Sequence, residues 1–157
     1  MTALRPSWKL LAATAVLATI AAAILTFSKP IELRVDGQPV ISDVPPVTTA
    51  KGLFVPLRPV GEALGAETHY EHKSGDVVVS RGTQVLHLKI GATRATLNGM
   101  PMTLKHAPFR VRGRVMVSLH AVQQIFGVRV RFDKATARVE VNTPGVSDAA
   151  ATQFEAQ

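Results

Sequence analysis

The chain carries the same pattern twice. Residues 35–80 realign without a gap on residues 97–142, at a constant offset of 62. Gly37 then meets Gly99, Pro39 meets Pro101, Pro46 meets Pro108, Val55 meets Val117, Leu57 meets Leu119, Val60 meets Val122 and Gly65 meets Gly127; Val77 and Val79 meet Val139 and Val141. Nearly all of these matches are turn-forming or apolar. Glycine and proline set backbone direction and periodic apolar residues define a buried face, so what is duplicated is an architecture and not a set of reactive groups. A duplicated catalytic site would repeat acids, bases or nucleophiles instead.

Each unit opens on a hairpin signal, Asp36-Gly37 or Asn98-Gly99, dipeptides that supply the positive φ angles of tight turns between strands. A connection through Pro45-Pro46 or Pro108 leads to a short extended run at residues 53–55 or 115–117. The period then changes. Leu57, Val60, Ala63 and Leu64, like Leu119, Val122, Ile125 and Phe126, recur at helical spacing and predict one short amphipathic helix per unit. Gly65 and Gly127 sit where a left-handed residue ends such a helix, Ser118 is placed to cap the second at its start, and Pro59 fits only a first turn. Alternation returns after each glycine, at Thr68 and Tyr70 then Val77 and Val79, and at Val130 and Phe132 then Val139 and Val141. Between the units, Leu86, Leu88 and Ile90 alternate with Val85, His87 and Lys89, a half-buried strand that joins the halves. Neither unit buries a substantial core by itself. The expected fold is α+β, with one antiparallel sheet shared by two tandem hairpin/helix/hairpin units and wrapped on their short helices.

An N-terminal transmembrane or signal helix is expected ahead of that body. Arg5 and Lys9 precede an uncharged apolar stretch, residues 10–27, which as a helix reaches roughly 27 Å, close to the hydrocarbon thickness of a bilayer. Positive charge before it keeps the N-terminus inside, so the remainder is expected on the far side of the inner membrane or outside the cell. Ala21-Ala22-Ala23 offers a small-residue cleavage site, and two readings stand: an anchor in the inner membrane, or a signal peptide whose removal secretes the domain. Residues 1–28 are thus read as anchor or signal, 31–143 as the domain, with units at about 35–80 and 97–142, and 144–157 as a disordered tail. The chain has no cysteine, which excludes disulfides and thiolate metal sites.

Charge divides unevenly between the units. Residues 28–80 hold five Lys or Arg against seven acids, whereas residues 81–143 hold eleven against Asp133 and Glu140 alone. The second unit is a cation, suited to an anionic polymer, a lipid headgroup or the acidic half of another copy, or else simply a solvated surface.

The order Val35-Asp36-Gly37, Pro45-Pro46, Phe54-Val55-Pro56-Leu57-Arg58, Glu62-Ala63-Leu64-Gly65-Ala66, Tyr70, Val77-Val78-Val79, Ile90-Gly91 and Leu97-Asn98-Gly99 resembles the copper amine oxidase N-terminal domain-like family, also called the stalk domain. The structural positions of the motif are Val55, Pro56, Leu57, Arg58, Glu62 and Gly65, with Gly99 and Gly127 in the second unit. The resemblance implies an α+β accessory or spacer module of envelope and secreted bacterial proteins, one that in copper amine oxidases lies remote from the chemistry. The second unit departs from the motif: Val117-Ser118-Leu119-His120 lacks the proline and arginine of Pro56 and Arg58, and Gln124 stands where Glu62 does. No role of Arg58 and Glu62 carries over to His120 and Gln124.

Oxidase chemistry needs a tyrosine convertible to a quinone and a three-histidine copper site. Tyr70 is the single tyrosine, on a predicted strand, and His69, His72, His87, His106 and His120 lack ligand spacing. No nucleophile elbow, phosphate-cradling loop or paired carboxylates appear either, so no catalytic residue, metal site or cofactor is expected. Arg58 and Glu62 stand i, i+4, which predicts a surface ion pair. The sharpest binding candidates are the alternating Arg110, Arg112 and Arg114, and the pair Arg129 and Arg131. On an extended strand, residues two apart share a face, and each set would present guanidinium groups about 6.5 to 7 Å apart, suited to phosphates or carboxylates along a polymer. Nucleic acid ranks last among such partners, because only Phe109 and Phe132 are interleaved. The expectation is a non-enzymatic, membrane-tethered or secreted envelope module, a spacer or a binding domain for protein or anionic envelope polymer, with self-association open. It displaces an envelope hydrolase or oxidase accessory with a weak metal site.

Overall fold

The computed structural model describes residues 30–145; the anchor or signal segment and residues 146–157 of the tail lie outside the described residues. In chain order the elements are β1 (Glu32–Val35), β2 (Gln38–Pro39), β3 (Val47–Thr49), β4 (Gly52–Pro56), α1 (Leu57–Ala63), β5 (Glu67–Tyr70), β6 (Asp76–Arg81), β7 (Gln84–Lys89), β8 (Arg94–Leu97), β9 (Met100–Thr103), β10 (Phe109–Val111), β11 (Arg114–Ser118), α2 (Leu119–Phe126), β12 (Arg129–Asp133) and β13 (Arg138–Asn142). Every element of residues 32–81 has its counterpart 62 positions on, and β7 alone stands outside the repeat.

The two units meet about a pseudo-two-fold axis in the sheet β10-β11-β4-β3. There Val55 pairs with Val117, its own counterpart, flanked by Phe54 opposite Ser118 and Pro56 opposite Met116. Two further sheets flank this one, β12-β13-β1-β2 and β5-β6-β7-β8-β9. The single shared sheet expected from the pattern is therefore corrected to three, mostly antiparallel, with two short helices. Proline is the physical reason: Pro45-Pro46 and Pro108 occupy the connections between one hairpin and the next, where they donate nothing to a hydrogen-bond ladder.

One pair of strands is parallel. β1 lies beside β13, from Glu32 opposite Arg138 to Val35 opposite Val141, so the first strand closes on the last. Their counterparts β8 and β6 do not touch, because β7 is inserted between them and pairs antiparallel with both. Asp36 adds to the closure by accepting from the Thr143 N–H at 2.6 Å and the Thr143 hydroxyl at 2.9 Å.

The helices are too short to be stable alone and hold through what they bury. Leu57 and Val60 of α1 and Val122 of α2 are fully buried with Val55, Val77 and Val139 in the main core, each worth about 1.5–3 kcal/mol. Ala63, expected on the buried stripe of α1, is exposed, and Gly61 is buried instead, because β5 folds back against that side of the helix. A Cβ on Gly61 would stand 3.4 Å from Thr68 Oγ1. α2 starts and stops as its residues predict: the Ser118 hydroxyl accepts from the Ala121 N–H at 3.2 Å, and Gly127 ends it at φ 64°. Across the central sheet a smaller core joins Val44, Phe54 and Met116, with the Phe109 ring edge-on to Phe54 at 4.8 Å.

Candidate functional site

The arginine triplet does not lie on one strand. Arg110 sits on β10 opposite Val115, Arg114 sits on β11 opposite Val111, and Arg112 with Gly113 makes the two-residue turn between them. Residues directly opposite share a face and neighbours alternate, so Arg110 and Arg114 point to opposite sides of the hairpin and Arg112 leaves from its tip. The predicted row of guanidinium groups is thereby corrected to a three-sided basic tip. Gly113 was the signal for this: with φ of 48° at Arg112 and 82° at Gly113, the turn matches those at Asp36-Gly37 and Asn98-Gly99.

Each arginine has its own setting. The Arg110 guanidinium lies 5.3 Å from the Tyr70 ring centroid, within cation–π range, and the His72 ring packs 4.5 Å from Tyr70 on a neighbouring side. Arg114 grips Asp43 through Nε at 3.0 and 2.9 Å and through Nη2 at 2.8 Å, a bidentate pair that holds the Asp43 carboxyl below its usual range and raises the guanidinium. Arg112 is exposed. Beside the hairpin a hollow of about 120 Å³ opens among Arg58, Pro59, Thr68, Tyr70, His72 and Arg114, room for one carboxylate or phosphate group with a few waters. A larger hollow, about 470 Å³ over the outer face of β6 to β9, gathers residues of mixed charge, Asp76, Lys89 and Arg94 among them, with nothing convergent.

Arg58 lines the smaller hollow but makes no ion pair with Glu62 among the described residues; its Nη2 donates to the Thr68 carbonyl at 3.5 Å. The returning strand β5 offers that carbonyl, which helical spacing alone cannot reveal. Asp43 and His72 were likewise invisible as site residues, because both come from connections between strands.

Arg129 and Arg131 belong to another sheet. They share the exposed face of β12, opposite Asn142 and Glu140. Across that face charge alternates, Asp133 then Arg138 then Glu32 in one row and Arg131 then Glu140 then Arg34 in the next. Glu32 is held at 2.8 Å by Arg34 and at 3.1 Å by Arg138, which together keep its carboxyl below the usual range, the Arg34 bond first. These arginines are thus interleaved with acids in their own sheet, whereas among the described residues the hairpin arginines form an ion pair only through Arg114 and Asp43, with Glu62 acting on Arg114 at longer range.

The remaining motif positions are scaffold. Val55, Pro56 and Leu57 are buried at the pseudo-two-fold, Glu62 is exposed on α1, and Gly65, Gly99 and Gly127 all take positive φ. His69 is on β5, His87 on β7 and His120 on α2, with His106 in the loop before β10. Among the described residues no three His, Cys, Asp or Glu side chains come together to hold a metal, so these residues do not fit a copper site.

No curated protein matches the chain. The family model of the copper amine oxidase N-terminal domain matches residues 34–141, which spans both units, the pairing of Val55 with Val117 and the basic hairpin, and the chain belongs to that family.

Proposed function

We propose that the chain is a non-enzymatic module of a bacterial envelope, tethered to the inner membrane or secreted, that holds an anionic polymer or protein on its β10–β11 hairpin. The reading is supported by what the repeat leaves out. At the counterparts of Arg110, Arg112 and Arg114 the first unit has Thr48, Ala50 and Gly52, so the scaffold does not call for arginine at any of the three.

Arg112 carries the argument furthest. It occupies a left-handed turn position that costs a side chain other than Gly, Asn or Asp about 1 kcal/mol, while the two sister turns use Asp36 and Asn98 there. A charge kept at a strained, exposed tip points to contact with a partner. The test is retention of the full chain on isolated envelope material across a salt series. Reversal of Arg110, Arg112 and Arg114 to Glu abolishes salt-sensitive retention, and unchanged retention leaves a plain spacer.

A further inference from the structure

Two large apolar side chains stand exposed among the described residues, Ile41 in the first unit and Met100 in the second. Ile41 is 93% exposed, far beyond any core role, and stands at the rim of a hollow of about 280 Å³ walled by Ile31, Leu33, Val40, Pro45 and Pro46. The fold does not require Ile31 or Ile41 to be apolar: their counterparts in the second unit are Thr93 and Thr103, while Leu33, Val40, Pro45 and Pro46 meet Ala95, Met102, Ala107 and Pro108.

We infer that this hollow, with Ile41 at its rim, is the surface on which the domain rests against a lipid bilayer, an inference that depends on the membrane tether proposed above. Position is the first argument. The Val40 N–H donates to the Leu33 carbonyl at 2.8 Å, which sets Ile41 beside the start of β1. Only residues 28–30 separate the apolar stretch 10–27 from Ile31, and the four steps from Phe27 to Ile31 reach at most about 14 Å. A bilayer that takes up that stretch therefore lies close to the start of β1, beside which Ile41 sits.

Charge is the second argument. Glu32, the one acid in the wall of the hollow, is paired with Arg34 and Arg138, and Asp43, next in the chain after Ser42 of that wall, is paired with Arg114, which lowers the repulsion of anionic headgroups. Size is the third. A handful of side chains falls well short of the roughly 1,200–2,000 Å² of a stable protein interface, whereas an interfacial contact beside an existing anchor needs only a few apolar groups.

The chain lacks cysteine, so a single Ile41→Cys or Met100→Cys places one environment-sensitive fluorophore on the otherwise native full-length protein. Both sites are exposed, Met100 at 69% on the opposite unit, and neither substitution disturbs the core. In vesicles of phosphatidylethanolamine and phosphatidylglycerol, the label at 41 shifts to the blue and is quenched about twofold by lipids spin-labelled near the headgroup, while the label at 100 stays water-like and unquenched. Water-like emission at 41 from protein that floats with the vesicles overturns the contact and leaves the tether standing. Protein that does not float removes the tether, and the contact with it. Blue emission that spin-labelled lipid does not quench puts protein over Ile41 and also overturns the assignment.

Discussion

The hairpins β3–β4 and β10–β11 are the same object twice and are equipped differently. They meet at the central pair Val55 and Val117, bury their inner residues in common cores, and carry Thr48, Ala50 and Gly52 on one side against Arg110, Arg112 and Arg114 on the other. The connections ahead of them differ as well, with Ile41 in one and Thr103 at its counterpart. A duplicated scaffold satisfies its core with one set of residues and releases the matching surface positions to diverge. The apolar rim collected on the first unit and the cationic tip on the second.

The comparison is broken most severely by reversing the three hairpin arginines, which costs all salt-sensitive retention on anionic envelope material while far-ultraviolet circular dichroism stays unchanged. Next come the paired helix residues. Leu57 is fully buried and Leu119 only half-buried, so Leu57→Ala loses about 2–5 kcal/mol in urea unfolding and Leu119→Ala distinctly less, although the two are counterparts. Equal losses would mean that the units share their load evenly. Ser118→Ala removes a cap that α1 lacks at Pro56 and costs about 0.5–2 kcal/mol by the same measurement. Arg112→Asn sharpens the contrast between strain and contact: it raises stability by up to about 1 kcal/mol and weakens retention at the same time. The smallest effect is acid sensitivity. The carboxyls of Glu32 and Asp43 are depressed in the folded chain, so their contribution is whole above the ordinary carboxylate range and fades as pH falls through it, seen as a declining thermal midpoint.

Much of this was legible in the residues themselves. The offset of 62 predicts that the second unit repeats the order of elements of the first, the periods predict both helices and the extra strand β7, and Ser118 and Gly127 mark the ends of α2. What escaped was long-range. Nothing in the alternation of apolar positions such as Leu33 and Val35 distinguishes one sheet from three, and the parallel seating of β1 on β13 joins residues more than a hundred apart. The arginine row failed for a local reason that was on view: Arg112-Gly113 repeats the turn chemistry of Asn98-Gly99, but three alternating arginines read as a strand. Asp43 and His72 reach the site from connections, whose course depends on the packing of everything else.

The seating of β1 on β13 has a mechanical consequence. A pull applied between residues 30 and 145 draws the two strands along their length in opposite directions, so four register pairs are loaded in shear together and must yield together, instead of peeling apart one by one.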